Sequence, residues 1–297
     1  MQRTVSARLE ADLTGDGWVE LQVAVARLDG LGVDERLVAT VDGSPVEVRE
    51  LVDGHAGRIH LLTDVSGHLE VRYDATVNGR AEPLPVTDLD RVEYSRPSRY
   101  ADSDRLFGFA RKQFGTRRDP DALLQDVTVW VANRLDYIPG SSTVTDGASD
   151  TLLGGAGVCR DYSHLTIALL RALDVPARLV AVYAPGCDPM DFHAVVEAAV
   201  GDTWLGVDAS RLAPRQSLLR ISTGRDAADT AFLTNYRSDL VLTSSVVMAV
   251  VDGDLPRDDL AQPVVLGLVD PDSRVTAVRT LRGWGVPAAG GSSILGG

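Results

Sequence analysis

Across residues 3–95 the chain is written in short runs where apolar and polar positions alternate. Turn signals at Thr14-Gly15-Asp16-Gly17, Asp42-Gly43 and Asp53-Gly54 interrupt them. The alternation is cleanest over residues 18–26, where Val19, Leu21, Val23 and Val25 share a face, and over residues 69–73. A period of two puts successive side chains on opposite faces of a strand. The pattern therefore predicts an all-β sandwich over residues 1–96.

The period changes after Arg96-Pro97-Ser98-Arg99-Tyr100. Asp102 or Ser103 is placed to cap a helix running to Phe114, with Gly115 suited to its left-handed stop. A second helix is predicted from Asp119 as cap and Pro120 in the first turn, with Leu123, Leu124, Val127, Trp130, Val131 and Leu135 at helical spacing. A Gly/Ser/Thr-rich loop over residues 140–157 leads to a third helix, residues 159–173, which must stop before Pro176. Strands are predicted at 177–183, 193–200, 203–209 and 240–251. Residues 97–255 thus read as an α+β domain. Residues 256–297 read as a partly irregular extension whose Gly/Ala/Ser-rich end, 288–297, is expected to be mobile.

Composition narrows the function classes. A chain of 297 residues is long for one core, which favours two domains. Its 44% hydrophobic and 24% charged content is that of a soluble protein, and no apolar run is long enough for a membrane span. The opening MQRTVSARLE has no signal-peptide pattern, so a cytoplasmic location is expected. A net charge of -13 argues against a nucleic-acid partner, since phosphate binding draws on clustered Lys and Arg. Two cysteines, Cys159 and Cys187, rule out a disulfide framework and a four-cysteine zinc site. His55, His60 and His68 have no ligand-like companions, so neither metal nor cofactor is expected.

Cys159 follows Gly154-Gly155-Ala156-Gly157-Val158 and opens a predicted helix. Unpaired N–H groups and the positive end of the helix dipole favour a thiolate there. The Cys159 N–H is also placed to donate to an oxyanion. Taken alone, a small buried hydrophobe at a helix start explains this cysteine as well, and Asp161 would oppose ionisation of a nearby thiol. Of the two histidines in reach, His164 lies five positions on along the same helix and is turned away. His193 opens a strand instead. A two-residue turn at Gly201-Asp202 sets Val200 opposite Thr203 and Val195 opposite Asp208. Asp208 then becomes the diagonal neighbour of His193, within hydrogen-bonding reach, while Asp202 at the turn tip is not. Cys187 sits in a turn-rich loop and reads as incidental, although that loop is a candidate border of the cleft. Tyr137, Trp204 and Asp191 are weaker candidates for a substrate groove, with core packing or exposure explaining them equally well.

Gly157-Val158-Cys159-Arg160-Asp161-Tyr162-Ser163-His164, with Val175-Pro176-Ala177-Arg178, Phe192-His193-Ala194 and Trp204-Leu205-Gly206-Val207-Asp208-Ala209, resembles the transglutaminase-like superfamily. The resemblance spans about residues 96–252, and the β region ahead of it looks like the N-terminal domain of many bacterial members. It implies a papain-like α+β core with a triad at Cys159, His193 and Asp208. Arg160 stands where many members carry glutamine. The implied chemistry is thiolate attack on an amide or peptide carbonyl, giving a thioester. Hydrolysis of a peptide, protein or small amide is the preferred outcome. Transfer to a lysine amine and a non-catalytic interaction module on the same fold are the competing readings.

Overall fold

The computed structural model describes residues 1–115, 119–259, 262 and 264–266. The chain opens with β1 (Arg3–Leu21), β2 (Leu31–Val41), β3 (Ser44–Pro45), β4 (Arg49–Val52) and β5 (Arg58–Gly79). β1 and β5 form the antiparallel spine of a seven-stranded sheet, paired from Arg3↔Val77 to Leu13↔Gly67 and again from Trp18↔Thr63 to Leu21↔His60. The turn expected at Thr14–Gly17 is instead a kink inside β1, marked by register shifts around Gly17 and by Gly15 at φ +98°. The sequence signal was real, but it bends a strand rather than reversing it. Asp42-Gly43 does reverse the chain between β2 and β3, with both residues at positive φ. The two-residue alternation holds: Val5, Ala7, Leu9 and Leu13 of β1 and Leu69, Val71, Tyr73, Ala75 and Val77 of β5 are buried.

The second unit contains α1 (Asp88–Glu93), α2 (Ser103–Phe114), α3 (Pro120–Arg134), β6 (Asp136–Tyr137), α4 (Ala148–Gly154), β7 (Ala156–Gly157) and α5 (Cys159–Ala172). It continues with β8 (Ala177–Tyr183), β9 (His193–Val200), β10 (Thr203–Val207), β11 (Leu219–Gly224) and α6 (Ala227–Thr230). α5 is buried from Asp161 to Ala172, packed among the other helices and against the antiparallel sheet β10-β9-β8-β11. The predicted loop over 140–157 holds α4 and β7, which pairs in parallel with β6 ahead of the loop. Asp102 and Asp119 occupy the expected N-cap positions but make no side-chain cap. Asp102 turns instead to Ser149, accepting from its N–H (3.1 Å) and hydroxyl (2.6 Å), and so ties α4 to α2.

The last strands, β12 (Leu233–Tyr236) and β13 (Asp239–Val251), return to the first sheet and pair with β1. Residues 240–251, read in sequence as part of the second unit, therefore complete the first. Alternation announces a strand but not which edge it joins, and β1 offered a free edge along Arg3–Thr14. The two units share a core, in which Tyr183, Leu219 and Ile221 pack with the residues of β1 and β5. The Tyr183 hydroxyl donates to the Val23 carbonyl at 2.7 Å. In the predicted extension, Asp258 pairs with buried Arg215 at 2.7 Å and Val264 bridges to Gly206. The expected mobile end at 288–297 lies outside the described residues. No helix among the described residues is long and apolar enough to cross a membrane.

Candidate active site

Cys159 is the first residue of α5 and is half-buried. The helix start is held from both sides. β7 lies beside β6, with Tyr137 paired to Gly157 and the Ile138 N–H donating to the Gly157 carbonyl at 3.1 Å. On the other side the Asp161 carboxylate folds back to accept the Val158 N–H (2.9 Å) and the Ser142 hydroxyl (2.5 Å). The Arg160 guanidinium donates to the second Asp161 oxygen at 2.9 Å and to the Thr143 carbonyl at 2.6 Å. The Asp161 charge, expected to oppose a thiolate, is thus taken up by a helix cap and an ion pair. This fold-back explains the Gly-x-Cys-x-Asp spacing. A Cβ at position 157 would lie 2.6 Å from that of Asp161, so only glycine fits.

His193 opens β9 and is 2% exposed. Its strand is fixed to the cysteine helix by the Ser163 hydroxyl, which donates to the Ala194 carbonyl at 3.0 Å. The preceding residue, Phe192, stacks on Phe232 with ring centroids 4.9 Å apart and packs against Tyr183, so the first sheet's core anchors the start of the histidine strand. The hairpin register is the expected one, from Thr203↔Val200 to Val207↔Val196, with Gly201 at φ +58° in the turn. Continued by one residue, it sets Asp208 opposite Val195 and diagonal to His193, and His193 Nε2 lies 2.8 Å from Asp208 Oδ2. With Nε2 taken by Asp208, Nδ1 is the ring nitrogen left to serve the thiol, and Cys159 is near enough to act on the charge of the ring.

Electrostatics reinforce the geometry. Burial opposes charge on His193, but the Asp208 carboxylate and then Cys159 outweigh it and hold the imidazole pKa well above its ordinary value. Burial likewise opposes charge on Asp208, yet His193 and Ser210 keep its carboxyl below the usual range. Ser210, missed in the sequence, donates to Asp208 Oδ1 through its N–H (2.9 Å) and hydroxyl (2.6 Å). The Asp-x-Ser pattern of an Asx turn was the available signal.

The other candidates separate cleanly. His164 is fully buried, stacked on Tyr100 at 5.2 Å, and its Nε2 accepts the Ala227 N–H at 3.1 Å; burial lowers its pKa to about 4. It is a neutral packing residue beneath the site. Asp202 stays at the turn tip, paired with Arg91 at 2.7 Å. Trp204 is core, edge-on to Tyr94, and Asp191, exposed as a residue, has its carboxyl partly buried and near enough to His193 to feel its charge. Cys187, on the loop that was a candidate border of the cleft, is buried near the centre. Burial pushes its thiol pKa up, with His193 and Cys159 near enough to act on it. Tyr137, half-buried, lies against the cysteine helix with its ring 5.9 Å from that of Tyr162.

Residues 108–209 match the family described as the transglutaminase-like superfamily. A solved structure from Cytophaga hutchinsonii, provisionally called a cysteine protease, is 33% identical with a TM-score of 0.79, over 87% of this chain and 93% of that one. An uncharacterised protein of Mycobacterium leprae is 28% identical over 159 residues, 50% of this chain and 57% of the relative. An uncharacterised Mycobacterium tuberculosis protein is 29% identical over 172 residues, 51% of this chain and 54% of the relative. The matches span little more than half the length of these two curated relatives.

Proposed function

The chain belongs to the transglutaminase-like superfamily, and from that premise we propose that it is a thiol-dependent acyl-transfer enzyme acting on amide or peptide carbonyls. Cys159 is the nucleophile, His193 the base and acid, and Asp208 the residue that orients and charges the histidine. The observation that carries this reading is the buried His193, held by Asp208 at 2.8 Å on one ring nitrogen, with Cys159 at the start of α5 near enough to act on its charge.

In this reading the Cys159 thiolate attacks the carbonyl carbon, forming a C–S bond while the π pair moves onto oxygen. The Cys159 N–H donates to that oxyanion. Collapse expels the amine, which takes the proton from the His193 imidazolium. The neutral imidazole then removes a proton from water as water attacks the thioester, releasing acid and thiol. Asp208 remains ionised throughout and keeps the imidazole in one tautomer. Hydrolysis is the favoured outcome because Cys159 is only half-buried and open to water; the substrate is a peptide, a protein or a small amide.

The test is capture of the acyl-enzyme. Incubation with p-nitrophenyl acetate should add one acetyl group to Cys159, seen by mass spectrometry of the intact chain and its peptides, and lost with time in water. Added primary amine separates the variants: free acetate alone supports hydrolysis, while amide formation at millimolar amine supports the transglutaminase reading. No acetyl group on Cys159 in the native chain would sink both.

A further inference from the structure

Arg3 carries a charge that no group among the described residues balances. It is 0% exposed on the inward face of β1, and of its guanidinium nitrogens Nη2 alone has a partner, the Gly79 carbonyl at 2.8 Å. Nε and Nη1 are buried without one. We propose that Arg3 holds a small inorganic anion, chloride, in a cavity between the two units.

The other buried arginines have partners. Arg58 has Glu35 and Glu50, Arg215 has Asp258, and Arg178 and Arg220 share Glu197. Arg171 has no such ion pair among the described residues but fills its guanidinium with hydrogen bonds to the carbonyls of Ala177, Arg96 and Arg225 and to the Ser98 hydroxyl. Arg3 makes one hydrogen bond and, among the described residues, no ion pair. Burial lowers its pKa, with no counter-charge acting the other way. A guanidinium keeps its charge in a protein, and an unpaired buried charge is far more unfavourable than an unmade hydrogen bond. The site therefore calls for an anion and not only for a hydrogen-bond acceptor.

Arg3 lines a cavity together with Leu28 and Leu31 of the first unit, Val182 and Leu219 of the second, and Arg220. Arg220 Nε is likewise buried with no partner. The apolar side chains offer no acceptor, and two guanidinium groups give the space a positive potential. Room selects the guest. The centre of a water-sized sphere has about 10 Å³ there, which suits one atom-sized particle and excludes sulfate, phosphate and organic carboxylates. Water would accept from an N–H group but leave the charge uncompensated, whereas chloride answers both needs. β1 supplies Arg3 and β11 supplies Arg220, which reaches Glu197 in the strand that His193 opens. The ion thus ties the first sheet to the sheet that presents the base.

Bromide stands in for chloride and is visible by its anomalous scattering. Crystals of the native chain soaked in sodium bromide should show an anomalous peak beside the Arg3 guanidinium. In solution, chloride is raised at constant ionic strength, balanced by gluconate, which is too large for the cavity. The thermal midpoint of the native chain should then rise by about 3 °C more than that of Arg3→Met, which keeps the bulk and removes the charge. In gluconate alone Arg3→Met should unfold no lower than the native chain. A water or a carboxylate of the chain beside Arg3, with no bromide peak, overturns the site. A bromide peak with equal chloride dependence in both proteins shows binding at crystal concentration only and also overturns it. If Arg3→Met does not fold, the native chain decides: a peak and a midpoint that rises with chloride support the site, and a midpoint indifferent to chloride overturns it.

Discussion

His193 Nε2 lies 2.8 Å from Asp208 Oδ2, and Ser210 holds the other Asp208 oxygen with two hydrogen bonds. The carboxylate is thereby aimed, and the ring nitrogen it engages decides which nitrogen serves the thiol. Asp208→Asn keeps the size of the side chain but removes the charge that sustains an imidazolium. Acetylation of Cys159 should fall on the order of 10³–10⁴-fold, read from the p-nitrophenolate burst. A loss under tenfold would mean that His193 works without an orienting partner.

The same pair gives stability a defined pH dependence. The folded-state pKa of His193 is raised, so its contribution is complete below the unfolded value near 6.5 and fades as pH rises through the folded value. That of Asp208 is lowered, so its contribution is present above the unfolded value near 3.8 and fades as pH falls through the folded one. Cys159, Cys187 and Asp191 also face the imidazole. The thermal midpoint of the native chain should exceed that of His193→Gln most between about pH 5 and 6, with the gap narrowing on the alkaline side. A gap that widens above pH 8 would show a neutral histidine in the fold.

β9 carries a second buried charge, Glu197, between Arg178 of β8 and Arg220 of β11, with Arg178 to Glu197 at 2.7 Å. Burial raises the carboxyl, but Arg220 and then Arg178 overcome it and bring the pKa down to about 2. Arg178 also lies over the Trp204 ring at 3.8 Å, so the cluster staples the sheet that presents His193. Glu197→Gln leaves two guanidinium groups uncompensated and should cost about 3–5 kcal/mol in urea unfolding. The native contribution is lost only as pH falls from about 4.5 toward about 2, so the variant's deficit should persist at pH 5.

Gly157→Ala sets a methyl group against the Asp161 side chain and drives it off the Val158 N–H. The cap alone is worth about 1 kcal/mol. Loss of the paired Arg160 and Ser142 contacts should deepen the cost and loosen residues 140–147. Faster amide hydrogen exchange confined to residues 138–162 is the expected signature. Unchanged exchange there would remove the reason given for the glycine.

The reach of the sequence differs from one residue to the next. Gly201-Asp202 dictated a hairpin whose register the period of two then carried to Asp208, so a local turn fixed a contact across 15 residues of chain. The five-residue offset of His164 likewise sufficed to turn it away from the site. Asp161 was misjudged, because sequence neighbourhood gives the charge of a carboxylate but not its direction, and direction made it a cap. β13 went to the wrong unit for a related reason: alternation has no memory of partner strands more than 200 residues away. For Cys187 the turn residues predicted a loop and a candidate border of the cleft, but not that the thiol would lie near enough for His193 and Cys159 to act on it.

The most direct measurement is the rate of iodoacetamide alkylation of the native chain as a function of pH, with labelled cysteines mapped by mass spectrometry. The account predicts that Cys159 is labelled selectively at pH 5–6, well ahead of Cys187, and that His193→Ala suppresses this reaction at least tenfold. Slow labelling of both cysteines at equal rates, unchanged by His193→Ala, would contradict it.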